Sequence, residues 1–405
     1  MSAELSFEQL SFYVEGDYLN IIFLKNYIIK IPANEVEKIG KFKAEKNKIA
    51  FKNIDKSSAQ RKFNFLVERH FASLTNIVTK KPAAYIHKNS GIPLIGNTAF
   101  GIVYRNTNVI EVKPVTGCNL NCVYCSIDEG TGSSKRTDFL IEREYLAEEI
   151  KKLAGFIGEE WLCHIGTHGE PLLYPELREL IQDISKIPGL KKISMDTNAT
   201  MLTEEIADEL IEAGLGRFNI SLDALDEKIA GKMANFPYNL AHIKKIIEHI
   251  GKKSDMLIAP VWVNGWNDNE IEKLVEFSLK ACKKSPVKMG IQNFLEYEHG
   301  RKPAKQMKWN DFYDRLRKLE EKYKTKLILK AEDFGIHKSK VLPKPFSKGQ
   351  IIKAKVMCNG MYGNEKICAA EGRSINVFGC DAKIGSIIKV KILRDKHNCF
   401  AGKAV

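Results

Sequence analysis

The chain has 405 residues, enough for two or three domains that each bury a hydrophobic core. It carries 63 Lys and Arg against 50 Asp and Glu, a formal net charge of +13. A membrane span needs an apolar run of about eighteen residues, and the sequence contains none of that length. We also find no leader with a cleavage site. Its nine cysteines are an odd number. We therefore expect neither a membrane protein nor a disulfide framework, but a soluble protein of the cytoplasm.

The basic excess is concentrated at the two ends of the chain. Residues 1–100 hold 15 basic and 9 acidic residues, and residues 341–405 hold 12 and 4, so their net charges are +6 and +8. The middle, 101–340, is nearly balanced, with 36 basic and 37 acidic residues. This distribution predicts that the C-terminal segment contacts a polyanion. For the N-terminal segment, a lysine-rich solvated surface is an equal alternative.

The first hundred residues predict a small α+β domain. Two β-rich runs, 10–14 and 18–24, are separated by the turn residues 15–17 and indicate a hairpin. Residues 57–78 suit a helix. Proline and glycine between 82 and 93 then indicate a connection to the next domain, so the first domain is predicted over 1–100.

From about residue 105, short apolar runs alternate with helical periodicity. Six such alternations with short turns predict a parallel sheet covered by helices, over 101–337. The predicted strands are 109–112, 161–165, 192–195, 218–222, 256–263 and 287–294. The predicted helices are 141–155, 175–186, 203–213, 239–251, 268–282 and a last one at 309–325.

Three cysteines follow the first of these strands. Cys118, Cys122 and Cys125 lie together in a segment of eight residues. Iron–sulfur clusters are bound by cysteines at such short spacings, and three ligands to a cubane leave one iron open. A closed zinc site would need a fourth ligand nearby, and none is adjacent in the sequence. The plain alternative is three ordinary buried cysteines.

Further motifs follow at the ends of the next strands. Gly169-Glu170-Pro171 comes after the second strand, residues 197–200 read Thr-Asn-Ala-Thr, and residues 216–223 read Gly-Arg-Phe-Asn-Ile-Ser-Leu-Asp. In this order, and with the cysteine loop, the motifs resemble the radical S-adenosylmethionine (SAM) superfamily, in particular the branch that includes the molybdenum-cofactor cyclase. Two positions depart from that pattern, because His168 and Ala199 stand where relatives often have glycine.

The resemblance implies a fold, two cofactors and an electron donor. The fold is a partial (β/α)6 barrel, and the cofactors are SAM and a [4Fe–4S] cluster held by the three cysteines. An electron from a donor such as ferredoxin or flavodoxin would cleave SAM to methionine and a 5′-deoxyadenosyl radical. The SAM-binding residues implied are Tyr124, Gly169, Glu170, Pro171, Asn198, Ser221 and Asp223.

Within that implied set, the roles differ. Tyr124 would pack on the adenine, and Glu170 would accept a hydrogen bond from the SAM ammonium group. Asn198, Ser221 and Asp223 would contact the carboxylate and ribose, with a turn or strand-capping role as the alternative for each. Every one of these motifs lies at the carboxyl end of a predicted strand, where barrel active sites are built.

Three residues at or after the sixth strand are candidates for substrate contact. They are Gln292, Glu296 and Arg301. A solvated loop is the alternative for Glu296. The basic side chains at 299, 301 and 302 would suit a phosphate.

The end of the chain predicts a second β-structure. Residues 338–350 indicate a linker. Short β-runs at 351–356, 374–378 and 387–392, with glycine turns, predict a small antiparallel barrel of the oligonucleotide-binding type over 351–405. The stretch from Gly363 to Val405 also resembles the TRAM domain of tRNA- and rRNA-modifying enzymes, which implies RNA binding.

Four more cysteines, Cys358, Cys368, Cys380 and Cys399, lie in this C-terminal segment. Their loose spacing favours ordinary core positions, with a second metal centre as the lesser alternative.

Three functional hypotheses follow. The first is a radical SAM enzyme that modifies RNA, with tRNA the expected substrate. The second is a radical SAM enzyme that acts on a small molecule or peptide. The third is a non-enzymatic RNA-binding protein with a structural or redox-sensing cluster.

Overall fold

The N-terminal part of the protein consists of short strands around one long helix; the computed structural model describes residues 2–405. Its elements are β1 (Ser2–Ser6), β2 (Leu10–Glu15), β3 (Tyr18–Phe23), β4 (Tyr27–Pro32), α1 (Ala33–Glu37), β5 (Phe42–Glu45), β6 (Lys48–Lys52), α2 (Lys56–His70) and β7 (Thr75–Asn76). The predicted hairpin is confirmed as β2 and β3. The helix predicted to reach residue 78 ends at His70, because Thr75 pairs with Ile28 of β4.

The central part contains the predicted alternation of strands and helices. Its elements are β8 (Ala83–Ile86), β9 (Gly101–Tyr104), β10 (Val109–Lys113), β11 (Thr116–Gly117), β12 (Asp138–Ile141), α3 (Arg143–Ile157), β13 (Trp161–Ile165), β14 (His168–Gly169), α4 (Leu177–Ser185), β15 (Leu190–Thr197), α5 (Glu204–Ala213), β16 (Leu215–Ile220), α6 (Glu227–Ala234), α7 (Leu240–Lys253), β17 (Asp255–Ile258), β18 (Val261–Trp262), α8 (Asp268–Ala281), β19 (Gln292–Asn293) and α9 (Trp309–Tyr323).

A six-stranded sheet forms the half-barrel of this central part, in the order β17-β16-β15-β13-β10-β9. Five of its strands are parallel, and β9 adds an antiparallel edge beside β10. The helices α3, α4, α5, α7, α8 and α9 pack against one another in this order, and α4, α5, α7 and α8 contact the sheet. The predicted α/β fold is therefore confirmed, with the carboxyl ends of the parallel strands at one edge.

The sixth predicted strand, 287–294, is shorter in the structure than predicted. Only Gln292 and Asn293 form a strand, paired with β18, while Met289 makes a single bridge to Ile258. Pro260 separates β17 from β18 because proline has no N–H to donate. The backbone nevertheless continues the ladder, since the Gln292 N–H donates to the Pro260 carbonyl at 2.9 Å.

The C-terminal part is a closed five-stranded barrel in the order β20-β21-β22-β24-β23. The strands are β20 (Ile351–Asn359), β21 (Glu365–Ala370), β22 (Arg373–Phe378), β23 (Ile387–Arg394) and β24 (Ala401–Ala404). Four pairs are antiparallel, but β22 and β24 are parallel. A closed barrel with an odd number of strands cannot alternate direction throughout, so one parallel pair is required. Only three β-runs were recognised in the sequence, so the parallel pair that five strands require was not predicted.

The barrel is packed closely against the central part. Residues 95–97 lie along its side, where the Ser374 N–H donates to the Ile95 carbonyl and the Phe400 N–H donates to the Gly96 carbonyl. A Cβ at Gly96 would lie 2.1 Å from the Ser374 carbonyl oxygen, so the approach requires glycine. The predicted linker also contacts its neighbours, because the Tyr104 hydroxyl donates to the Lys340 carbonyl at 2.7 Å. The domain boundaries proposed from the sequence remain predictions.

None of the helices between Ser2 and Val405 has the length and apolar character that crossing a membrane requires.

A buried charge cluster joins the N-terminal part to the loop after Cys125. Lys135 is in contact with Glu129 and lies 3.4 Å from Asp138, and all three side chains are almost fully buried. The other carboxylate oxygen of Asp138 accepts hydrogen bonds from the side chains of Asn76 and Thr79. Asp138 therefore compensates a buried ammonium group and two buried donors at once.

We predict that replacing Asp138 with alanine destabilises the fold strongly. Removal of one member of a buried ion pair leaves the remaining groups uncompensated and costs about 3–5 kcal/mol. The urea midpoint of the Asp138→Ala variant should therefore fall clearly below that of the wild type. Glu45→Ala is the control, since it removes an exposed partner of Lys43 and should leave the midpoint unchanged. Equal midpoints for the two variants would contradict this account of the cluster.

Candidate active site

Two glycines bring the cysteine loop beside the Glu170 motif. β11 pairs in parallel with β14, so that Gly117 lies opposite Gly169. Gly169 has φ +140°, and a Cβ there would lie 1.9 Å from the Gly117 carbonyl oxygen. Only glycine permits this approach. Cys118 and Glu170 follow directly, so the first cysteine and the carboxylate leave the ladder side by side.

Residues 118–137 contain no helix or strand, so the cysteine loop depends on contacts from elsewhere. Arg301 provides most of these. Its Nη1 donates to the Cys122 carbonyl at 2.9 Å, its Nη2 to the Glu129 carbonyl at 2.8 Å, and its Nε to Asp128 at 2.7 Å. Its backbone N–H also donates to the Cys125 carbonyl at 2.9 Å. Arg301 therefore positions the loop.

The three thiols line one cavity of about 310 Å³. Burial raises the pKa of all three thiols, that of Cys118 well above its usual value and that of Cys122 to about 12. Two sulfurs already accept backbone hydrogen bonds, Cys118 from Leu120 and Cys125 from Glu129. Sulfurs so placed suit metal binding, because a bound metal removes the thiol protons.

The donor set fits a cluster better than a single ion. Within residues 2–405, no group of three or more His, Cys, Asp and Glu side chains is arranged to hold one metal ion. In a cubane, each thiolate binds a different iron, so the three sulfurs need not converge on one point. Thr167, which also lines the cavity, has a buried hydroxyl without a partner in the described part of the chain. That orphaned hydroxyl fits a cavity whose ligand supplies the missing partner.

Most of the residues expected from the sequence line this cavity. They are Cys118, Cys122, Tyr124, Cys125, Gly169, Glu170, Asn198, Ser221, Asp223 and Gln292. Pro171, Glu296 and Arg301 are not among its lining residues. Pro171 begins a short 3₁₀ turn, and Glu296 is exposed and accepts from the Gln306 N–H.

Glu170 is the most deeply buried carboxylate in the cavity. Its oxygens accept from the Thr197 hydroxyl at 2.7 Å and from the backbone N–H groups of Asn198 and Leu172. Burial raises the pKa of Glu170 to about 7, although these hydrogen bonds oppose the shift. A cationic ligand group would compensate this carboxylate, so the geometry suits an ammonium group.

Asn198 has a role in the turn that follows β15. Its side-chain oxygen accepts from the Thr200 N–H and hydroxyl, and its amide donates to Asn119 beside Cys118. Ala199 has φ +59°, the left-handed conformation in which glycine is preferred, so its Cβ adds strain to this turn. Asn198 therefore stabilises the turn and connects it to the cysteine loop, while its predicted contact with SAM remains a prediction.

Tyr124 and Asp223 contact each other across the cavity. The Tyr124 hydroxyl donates to one carboxylate oxygen of Asp223, and the Val261 N–H donates to the other at 2.9 Å. Burial raises the pKa of Asp223 to about 6. Ser221, which lines the same wall, continues the strand through a backbone bond to Thr197.

Several lining residues were not identified from the sequence. They include Thr167, Asp196, Thr197, Tyr238, Asn293 and Tyr297. Thr197 is the first residue of the motif 197–200 and Asp196 directly precedes that motif, so their position beside Asn198 was the available signal. Tyr238 lies between α6 and α7, and nothing local distinguishes it from a core residue.

A second cavity, of about 520 Å³, lies inside the half-barrel and shares Asp196 and Gln292 with the first. Its wall contains a polar network. His164 lies 3.3 Å from Asp196, and Asn219 donates to the same carboxylate at 2.8 Å. Arg217 in turn donates to Asn219 at 3.1 Å. This interior cavity therefore combines a largely apolar lining with one polar network that offers hydrogen bonds and charge to a ligand.

Comparison with known proteins identifies the family. The Radical SAM superfamily pattern matches residues 112–278. The uncharacterized protein MJ0103 of Methanocaldococcus jannaschii is 38% identical over 361 residues, which are 82% of this chain and 83% of that protein. The chain belongs to the radical SAM superfamily. It is a radical SAM enzyme, and its cofactors are a [4Fe–4S] cluster and SAM.

Other similar proteins match a smaller part of this radical SAM enzyme or have a lower sequence identity to it. The GTP 3',8-cyclase of Clostridium botulinum is 32% identical over 203 residues, 49% of this chain and 60% of that enzyme. Among solved structures, SuiB of Streptococcus suis bound to S-adenosylmethionine has 15% identity and a TM-score of 0.41, covering 79% of this chain and 69% of its own. Archaeal TYW1 has 22% identity and a TM-score of 0.38, covering 58% and 79%.

We predict that Glu170→Gln weakens SAM binding about 10- to 100-fold, because a hydrogen bond to a charged group contributes about 1.5–3 kcal/mol. Equilibrium dialysis of the anaerobically reconstituted protein measures the affinity. Glu296→Gln makes the same chemical change at an exposed site outside the cavity and should bind SAM as the wild type does. Unchanged affinity in Glu170→Gln would contradict the ammonium contact.

Proposed function

We propose that this radical SAM enzyme modifies RNA, with tRNA the expected substrate. The observation that carries the proposal is a lysine face on the C-terminal barrel. It consists of five exposed lysines on β20, β23 and β24, namely Lys353, Lys355, Lys389, Lys391 and Lys403.

The lysine face concentrates like charges that the fold itself does not neutralise. Lys353 lies directly opposite Lys389, and Lys391 directly opposite Lys403. Like charges in such cross-strand pairs destabilise a sheet. Within the described residues 2–405, no carboxylate lies in salt-bridge contact with any of the five. Phosphate groups of a nucleic acid would compensate them, with the salt-dependent affinity typical of counterion release.

The barrel is joined to the cysteine loop, which supports a link between RNA binding and the chemistry. The Tyr362 hydroxyl, in the loop between β20 and β21, donates to the Ile127 carbonyl at 2.9 Å, two residues after Cys125. The Arg136 N–H donates to the Met361 carbonyl at 2.8 Å. The barrel that carries the lysine face thus contacts the loop that lines the catalytic cavity, and bases in RNA loops can leave their stack to enter such a cavity.

Within the catalytic cavity, we propose that Cys118, Cys122 and Cys125 hold the cluster. Glu170 would accept a hydrogen bond from the SAM ammonium group, and Tyr124 would pack on the adenine. Asn198, Ser221 and Asp223 would contact the carboxylate and ribose. The chemistry that these cofactors supply when bound is reductive cleavage of SAM to methionine and a 5′-deoxyadenosyl radical, which abstracts a hydrogen atom. Arg301 keeps the cysteine loop in place, and a donor such as ferredoxin or flavodoxin provides the electron.

A second candidate is a radical SAM enzyme for a small polar molecule. The interior cavity of about 520 Å³, with Arg217, His164 and Asp196 in its wall, favours this reading. The similar Clostridium botulinum enzyme is named for GTP, a small nucleotide. The two candidates differ in whether the lysine face is needed for activity.

We predict that alanine at Cys118, Cys122 or Cys125 removes most of the iron and all SAM cleavage. Wild-type protein reconstituted without oxygen should hold about four irons per chain, and a cubane left with two protein ligands should be labile. Iron assay and 5′-deoxyadenosine release under dithionite measure both effects. The matched control is Cys358→Ala, outside the cavity, which should keep its iron. A halved iron content in that control would reveal a second cluster.

We predict that cells lacking the gene lose one modified RNA nucleoside. Wild-type protein should restore it, whereas the double variant Lys353→Gln with Lys389→Gln should restore much less, because two phosphate contacts are lost. Mass spectrometry of tRNA digests measures the nucleoside, and Lys43→Gln with Lys48→Gln, on the N-terminal part, is the charge-matched control. An unchanged nucleoside profile, together with intact SAM cleavage, would favour the small-molecule candidate.

A further inference from the structure

A cleft of about 380 Å³ lies at the junction of the C-terminal barrel and the central part. One wall comes from the barrel, with Phe378 at the end of β22 and Tyr362 in the loop after β20. The opposite wall comes from the segment after β19, with Tyr297 and His299. The cleft is large enough for one nucleotide, since ligand cavities begin at about 300 Å³.

Aromatic rings line this cleft on both sides. Tyr362 and His299 stack across it, with ring centroids 4.2 Å apart and planes inclined by 19°. Phe378 is 41% exposed and Tyr297 is 49% exposed. Large apolar rings exposed on facing walls are suited to stacking on the face of a flat, unpaired base.

Polar groups without protein partners border the same space. The Asn97 amide donates to the Asn376 side-chain oxygen at 2.6 Å, which leaves the amide nitrogen of Asn376 without an acceptor in residues 2–405. His168 also lines the cleft, and its Nδ1 has no partner in the described part of the chain. Arg394, exposed at the cleft, has no carboxylate within salt-bridge distance among those residues. These groups offer hydrogen bonds to a base edge and a positive charge to a phosphate.

The cleft adjoins the catalytic cavity. Ser126, Ile127 and Tyr297 line both spaces. A nucleotide held in the cleft would therefore have its neighbour along the strand next to the cavity that contains the three thiols.

We infer that this cleft binds one unpaired base of an RNA strand and presents the adjacent nucleotide to the catalytic cavity. The inference rests on the RNA-modifying function proposed above and adds the place where bases are held. The lysine face provides phosphate attraction, whereas the cleft provides stacking and base-edge contacts.

The test measures binding of a fluorescent, mixed-sequence oligoribonucleotide to the full-length reconstituted enzyme at several salt concentrations. Phe378→Ala and Tyr297→Ala should each weaken binding about tenfold, the loss typical of a stacked base, and leave the salt dependence unchanged. Phe378→Trp should restore affinity. Lys353→Gln with Lys389→Gln should instead lower the slope of the salt dependence by about two. Tyr13→Ala, an aromatic residue 43% exposed on β2, is the control and should bind like the wild type.

Wild-type affinity in both aromatic variants, together with weak binding by the lysine variant, would overturn the cleft and leave the RNA function standing. A competition arm uses the four ribonucleoside monophosphates. If they displace the oligonucleotide at similar concentration, and binding depends on Phe378 but not on the lysines, the cleft is a free-nucleotide site. That outcome overturns the RNA strand as its occupant and the RNA-modifying function with it.

Discussion

The active site depends on the approach of two backbones at Gly117 and Gly169. β10 and β13 are neighbouring parallel strands, and the short β11–β14 ladder extends their pairing to the start of the cysteine loop and of the Glu170 motif. A Cβ at Gly169 would lie 1.9 Å from the Gly117 carbonyl oxygen, so this extension requires glycine. Cys118 and Glu170 therefore enter the cavity side by side.

The cysteine loop has no regular structure of its own, so its order comes from other parts of the chain. Arg301 holds three of its backbone or side-chain oxygens, and the charge cluster of Lys135, Glu129 and Asp138 closes its base. The barrel adds Tyr362 from a third direction. The irregular loop thus gains rigidity from long-range contacts, as preorganised metal sites generally require.

Local sequence patterns determined much of the fold. The helix predicted over 203–213 is confirmed as α5, and the Thr203 hydroxyl caps it by accepting from the Ile206 N–H at 3.2 Å. The strands of the half-barrel follow their apolar runs. The short helix α6 and the two-residue ladders were missed because they carry too few residues for a periodic signal. The helix predicted over 57–78 ends at His70, because the pairing of Thr75 with Ile28 overrides the helical propensity of the last residues.

The candidate site was predictable where its residues lie at strand ends or in the closely spaced cysteine loop. Glu170, Ser221 and Asp223 occupy the cavity because topology brings the carboxyl ends of parallel strands together. The position of Arg301 against the loop, and the cleft between Phe378 and Tyr297, depend on how separate segments dock. No local spacing encodes such docking, so the sequence predicted Arg301 as a substrate contact, whereas its side chain contacts the loop.

Arg301 contacts the cysteine loop but lies far from it in the sequence, and this has a consequence for how the protein matures. Cys122 and Arg301 are 179 residues apart, and Arg301 comes later in the chain. Chains emerge from the ribosome amino end first. The three thiols are therefore synthesised, and exposed to the cell, well before the guanidinium that fixes their loop exists. Insertion of the proposed cluster into a correctly shaped loop would therefore wait until the half-barrel is nearly complete, and cofactor loading would be a late event in the life of each new molecule.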